Sequence, residues 1–201
     1  MKRLGADFYR RSALEVAPEL VGKWLCRQTE DGVMRVQITE TEAYVGEDDT
    51  ACHASRGRTP RTEVMYAAGG VAYIYLCYGI HHLLNIVTGE AESPEGVMIR
   101  AVEGANGPGK LTRLLGITRD LNRENLVASK AFWVEDDGGV YSYSTAPRVG
   151  IDYAAPDDRD RQWRFILNRG EAGERVPVAS NENDTETHVS MNLQNSSYIH
   201  L

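Results

Sequence analysis

At 201 residues, with 42% hydrophobic and 25% charged side chains, the chain has the length and balance of one globular domain with a substantial core. No apolar run approaches the roughly 20 residues of a membrane span, and Met1 to Asp7 lacks the apolar stretch of a secretion signal, so a cytoplasmic protein without a membrane partner is expected. The net charge of −7 argues mildly against nucleic acid, but residues 171–201 hold five of the acids and one base. The remaining 24 acids and 21 bases make a nearly neutral body that can carry a basic face.

Asp7-Phe8-Tyr9 and the run from Ser12 to Leu20 predict short helices, with Ser12 as N-cap and Glu15 completing a capping box. Gly22 ends that pattern. Trp24 to Gln28 and Val33 to Tyr44 read as two strands joined at Asp31-Gly32, a hairpin signal. Alternation along the second strand places Met34, Val36, Ile38, Glu40, Glu42 and Tyr44 on one face. Two carboxylates continuing an apolar face are expected to be partly desolvated, which raises a carboxyl pKa and suits a general base. The plainer alternative is an edge strand leaving the core with both glutamates in water.

Gly46 to Pro60 is polar and turn-rich, as functional loops are, and Arg61 to Ala67 predicts a helical turn. Gly69-Gly70 precedes a β-branched and aromatic strand, Val71 to Tyr78, and Leu83 to Val87 returns beside it. Tyr78 therefore falls at a hairpin tip, where a large ring has nothing internal to pack on. Gly96 to Glu103 predicts another strand. Gly107-Pro108-Gly109-Lys110 opens a helix, Leu111 to Leu115, with Lys110 and Arg113 near its N-terminus, where backbone N–H groups can take a phosphate.

Ala131–Glu135, Pro147–Ile151 and Gln162–Leu167 complete a strand-rich second half. Helices are too few for a doubly wound sheet, so the expectation is a single α+β domain with a mainly antiparallel sheet and flanking helices. It occupies residues 1–170. Residues 171–201, rich in Asn, Glu, Ser and Thr, are expected to form a disordered acidic tail. Cys26, Cys52 and Cys77 are odd in number and lack metal-ligand spacing, which fits buried thiols in a reducing compartment.

A set of motifs in order carries a specific resemblance. Glu40-Thr41-Glu42-Ala43-Tyr44, His53, Thr59-Pro60-Arg61, Tyr73 to Gly79, Asn85, Ile99-Arg100-Ala101, Gly107 to Leu111 and Arg148-Val149-Gly150 together resemble the 3-methyladenine DNA glycosylase family of the alkyladenine type. The likeness runs from about Leu4 to Arg169. It implies a curved sheet like the formyltransferase C-terminal barrel. It also implies a monomeric DNA-repair enzyme acting on duplex DNA with damaged purines, nucleoid-associated in a bacterium and working without metal, cofactor or covalent intermediate.

The same resemblance implies roles. Glu42 becomes the general base and Arg100 its partner in holding the attacking water. Tyr44, His53 and Tyr75 form the pocket for an electron-poor base, Asn85 lies in its floor, and Tyr78 fills the gap left by the flipped nucleotide. Arg61 and Lys110 are expected to contact the DNA backbone. Without the resemblance, Arg100 reads as a strand-end cation, Tyr75 as a core tyrosine and His53 as a loop histidine. Asn85 then reads as an ordinary polar residue at a strand end.

Three other readings compete. Glu40, Glu42, Asp48, Asp49 and His53 offer oxygen and nitrogen ligands for a hard metal, though no compact ligand motif completes the set. Gly107 to Lys110 has the look of the hairpin of helix-hairpin-helix glycosylases, without the flanking helices. A non-enzymatic nucleic-acid module explains the aromatics but not Glu42 on an apolar face.

Overall fold

The computed structural model describes residues 1–168. Ten strands form one sheet: β1 (Lys2–Arg3), β2 (Trp24–Thr29), β3 (Gly32–Val45), β4 (Ala72–Cys77), β5 (His81–Thr88), β6 (Glu95–Val102), β7 (Ala105–Asn106), β8 (Phe132–Asp136), β9 (Tyr143–Ala146) and β10 (Arg164–Leu167). Four helices accompany them: α1 (Ala6–Tyr9), α2 (Ala13–Leu20), α3 (Pro108–Leu114) and α4 (Pro156–Arg159). The main path is β1-β8-β2-β3-β6-β5-β4, with β10 joining β3 to β9 and β7 on β6. Every strand pair is antiparallel. The α+β expectation holds, as one domain with an open antiparallel sheet.

Local signals set several elements. Ser12 accepts from the Leu14 N–H, and the Glu15 carboxylate accepts from the Ser12 N–H, so the predicted capping box starts α2. The β2–β3 hairpin closes with Thr29 opposite Gly32. α3 starts three residues before the expected Leu111, because Pro108 at its first turn has its φ already set and needs no N–H partner.

The sheet divides its residues by face. Ala72 and Ile74, Leu84 and Ile86, and Val97 and Ile99 join α1, α2 and α3 in the main core, together with Tyr9, Val16, Leu20 and Leu111. The alternate residues, Tyr73, Asn85, Met98 and their neighbours, face the other way, where the loops 46–67 and 147–155 cover them with two small apolar clusters. A cavity remains between those loops and the sheet.

One expectation about β3 is corrected. Ile38 lies in the main core, but Glu42 and Tyr44 do not share its face, because the pairing with β6 slips twice. Ile38 pairs with Val102, Glu40 with Ala101 and Thr41 with Ile99, which leaves Thr39 and Arg100 as the extra residues. A bulge of this kind reverses the side-chain alternation beyond it and re-aims side chains. Thr41 and Ala43 then turn into the core, where the Thr41 hydroxyl donates to the Ala17 carbonyl at 2.8 Å. Glu42 and Tyr44 turn to the opposite side, where Tyr44 lines the cavity and Glu42 lies behind it.

A second correction concerns Pro147 to Ile151, which is irregular; the strand precedes it, as β9. Pro147 has no ladder N–H, Gly150 has φ +77, and the Arg148 side chain is withdrawn into a buried ion pair. The polar stretch 171–201 lies outside the described residues. None of the described helices is long and apolar enough to cross a membrane.

Candidate active site

Glu42 is wholly buried, yet three donors converge on its carboxylate. The Val149 N–H reaches Oε1 at 2.8 Å, the Tyr44 hydroxyl reaches Oε2 at 2.9 Å, and Arg100 Nη1 stands 3.3 Å from Oε1. Burial raises its pKa, because the charged form is desolvated, and Arg100, Val149 and Tyr44 act in the opposite direction. Burial raises the Tyr44 pKa well above the usual phenol value, with the Glu42 charge adding to the effect, so Tyr44 remains a donor.

Arg100 is shared. Its Nε donates to Glu40 Oε1 at 3.1 Å, and Arg164 on β10 donates to the same oxygen at 3.0 Å. Glu40 is thus held by two cations while Glu42 has a part of one. As the extra residue of the bulge on β6, Arg100 can reach both carboxylates.

The cavity has a volume of about 240 Å³. It is bounded by Tyr44, His53, Tyr75, Asn85, Met98 and Arg100, with Tyr78, Val149 and Tyr153 also on its wall. His53, on the 3₁₀ turn His53–Arg56, bonds through Nδ1 to the Tyr73 hydroxyl at 2.9 Å and stands edge-on to Tyr75, ring centroids 4.6 Å apart. Burial, helped by the cations Arg61 and Arg56, lowers its pKa to about 4. The ring is neutral at physiological pH. Asn85 is buried, and its amide nitrogen donates to the Tyr73 carbonyl at 3.1 Å.

Two site residues lie outside the cavity proper. Exposed Arg61 sits over the Tyr75 ring at 5.1 Å, and Lys110 is exposed at the start of α3. Tyr78 is 91% exposed between β4 and β5, with φ +50; Gly79 follows with φ +72, and the Ile80 N–H closes the turn on the Cys77 carbonyl at 3.1 Å. A tyrosine in the left-handed region costs roughly 1–2 kcal/mol, and such strain concentrates at functional sites.

The structure brings Arg100, Tyr44, His53, Tyr75 and Asn85 together around one space, with Tyr78 on its rim; Glu42 lies directly behind three of the lining residues, Tyr44, Arg100 and Val149, which all donate to its carboxylate. The hard-metal set is not assembled: Asp49 is spent on Arg148, and among the described residues no three His, Cys, Asp or Glu gather in a metal-holding group. Sequence reading missed Tyr73, Met98 and the Val149 N–H. Tyr73 had a signal, since it lies two residues before Tyr75 on the same strand face. Met98 is opposite Glu42 only through the register, and a backbone donor has no residue type to betray it.

A desolvated carboxylate directly behind the wall of an aromatic cavity is an arrangement compatible with the class of acid–base enzymes that act on a flat ring. Comparison with known proteins narrows the class. The methylpurine-DNA glycosylase family model matches residues 7–171. A provisionally named 3-methyladenine DNA glycosylase of Psychrobacter cryohalolentis is 45% identical over 190 residues, covering 80% of this chain and 89% of the relative. Those of Methanocella arvoryzae and Desulfitobacterium hafniense are 44% and 42% identical, covering 82% and 83% of this chain and 92% and 96% of their own. The chain belongs to the methylpurine-DNA glycosylase family, and the resemblance read from its motifs holds.

Proposed function

We propose that the protein removes alkylated or deaminated purines from duplex DNA by hydrolysing the N-glycosidic bond, leaving an abasic site. The observation that carries this reading is Glu42: a fully buried carboxylate held by Tyr44, Arg100 and Val149, three donors that themselves line a cavity that suits one flat heterocycle. Its 240 Å³ falls below the roughly 300–1,000 Å³ of sites for drug-sized ligands.

In this reading the damaged nucleotide rotates out of the stack, and its base enters among Tyr44, His53 and Tyr75. Aromatic faces favour the positive charge of an alkylated purine, and a neutral His53 does not oppose it. Asn85, fixed to the Tyr73 carbonyl, crowds the 2-amino group that distinguishes guanine. Water then attacks the sugar carbon as the bond to the base breaks and its electron pair leaves with the base: a cationic alkylated purine departs neutral, and a neutral one such as hypoxanthine takes up a proton from water. Glu42 accepts the proton, and its charge stabilises the oxocarbenium-like sugar. Arg100 keeps Glu42 ionised and orients the water. Tyr78 occupies the space vacated in the duplex, and Arg61 and Lys110 contact phosphates. The curved sheet is taken to resemble the formyltransferase C-terminal barrel, which says nothing of activity by itself.

Among the described residues no lysine lines the cavity, so the pocket offers no lysine amine to cut the backbone and the reaction should stop at the abasic site. Incubation with duplexes carrying 3-methyladenine, 7-methylguanine, hypoxanthine or ethenoadenine, with chelator present, should release free base and leave both strands intact. A covalent protein–DNA adduct trapped by borohydride, or no base released from any duplex, would refute the reading.

A further inference from the structure

We propose that Arg148 is a positioning residue for Glu42: its guanidinium, locked between two loops, holds the Val149 N–H and the Tyr44 ring where both can donate to the carboxylate. The proposal rests on the reading of Glu42 as the base.

Arg148 and Asp49 form an ion pair whose side chains are both fully buried, with Nη1 to Oδ2 at 2.6 Å and Nη2 to Oδ1 at 2.8 Å. The remaining Nη hydrogens go to backbone, to the Ala43 carbonyl at 2.9 Å and the Asp158 carbonyl at 3.1 Å. The guanidinium also lies 4.8 Å from the Tyr44 ring centroid and 5.0 Å from that of Trp163. A planar fork fixed at both ends and stacked on rings has one available orientation. A buried ion pair is weak evidence of stabilisation, since burying both charges roughly cancels their attraction. What this pair does set is geometry.

Each contact bears on Glu42. Ala43 separates Glu42 from Tyr44, so the bond to its carbonyl fixes the strand at the carboxylate. Tyr44, under the guanidinium, carries the hydroxyl that reaches Oε2, and Val149, the next residue in the chain, carries the N–H that reaches Oε1. Asp49 also accepts from the Val45 and Ala51 N–H groups, which ties the far loop to the same cation. The charged or titratable groups around Glu42 are Glu40 and Tyr44 on its own strand, Arg100 on β6, Arg164 on β10 and Arg148. Burial pushes the Glu42 pKa up, and two of the three donors that oppose this depend on Arg148.

The test is single-turnover release of labelled methylpurines from dimethyl-sulfate-treated duplex, across the pH range, by wild type, Arg148→Lys and Glu42→Gln. A lysine keeps the charge and loses the fork. With the Val149 and Tyr44 donors loosened, Glu42 protonates more readily, so the acid limb of Arg148→Lys should move up by about one pH unit. Its plateau rate should fall roughly 10- to 100-fold through misalignment, with affinity for the same duplex unchanged. The shift should not add to that of Tyr44→Phe, because Arg148 acts partly through Tyr44. An unmoved acid limb with a lowered melting temperature would make Arg148 merely structural and overturn the proposal. If Arg148→Lys does not fold, Trp163→Leu removes the ring beneath the guanidinium and is held to the same result. Survival of the acid limb in Glu42→Gln would instead sink the reading of Glu42, a failure distinct from that of Arg148.

Discussion

Glu42→Gln should bind lesion-containing duplex as wild type does and fail to release the base. The amide keeps the shape of the carboxylate and can still accept from the Val149 N–H, but it neither takes a proton nor carries the charge that stabilises the sugar. Loss of a general base costs roughly 100- to 10,000-fold, and loss of the charge adds to it. Glu40→Gln should lose far less, because Glu40 is neutralised by Arg100 and Arg164, and its removal leaves Arg100 to Glu42.

The same substitution carries a stability signature of the opposite sign. The Glu42 pKa is raised in the folded protein, so its protonated form favours folding, and that contribution is lost as pH rises through the folded-state value. At neutral pH the ionised carboxylate is therefore a burden on the fold. Glu42→Gln should melt at a higher temperature than wild type at pH 7.5, and the gain should vanish at pH 4. An inactive variant that melts lower at pH 7.5 would point to damage rather than to a missing base.

Tyr78→Ala should separate the opening of the duplex from the chemistry. If the ring fills the space left by the flipped nucleotide, its loss lets the base fall back into the stack. About 1–3 kcal/mol of stacking is lost, a reduction of roughly 5- to 150-fold in the competent complex. The defect should be largest for well-paired lesions and smaller opposite mismatches, where unstacking costs less. The fold should not suffer, since Tyr78 is 91% exposed and alanine, which also has a Cβ, bears a similar cost in the left-handed conformation. Single-turnover rates on paired and mismatched hypoxanthine duplexes, beside a melting curve, decide the matter. A uniform loss on all substrates with a lowered melting temperature would remove Tyr78 from the role.

What the sequence displays depends on how far each interaction reaches along the chain. The capping box at Ser12 and Glu15, the Asp31-Gly32 hairpin and the exposed turn at Tyr78-Gly79 span a few residues and could be read directly. Glu42 was singled out for a partly mistaken reason. Alternation put it on the face of Val36 and Ile38, whereas the bulge at Thr39 and Arg100 turns it to the opposite face, and it is desolvated there by the loops that cover the cavity. A bulge is fixed by the partner strand some 60 residues away and leaves no mark on local periodicity.

The Arg148–Asp49 pair was out of reach for the same reason. Asp49 looks like a solvated loop charge and Arg148 like part of the expected strand Pro147–Ile151, and 99 residues separate them, yet they form a fully buried contact beside Glu42. β1 and β9 were missed because two- and four-residue strands exist only through their neighbours, β8 and β10.

The most direct test of the account is the pH dependence of single-turnover base release from methylated duplex, measured side by side for wild type and Glu42→Gln with chelator present. Burial lifts the Glu42 pKa, so wild-type release should fall with decreasing pH along an acid limb above the ordinary carboxylate range. His53, at about 4, titrates lower and does not account for that limb. The variant should show a slow, residual rate without the limb. Release by Glu42→Gln at the wild-type rate, or with the same acid limb, would contradict the assignment of Glu42 as the base.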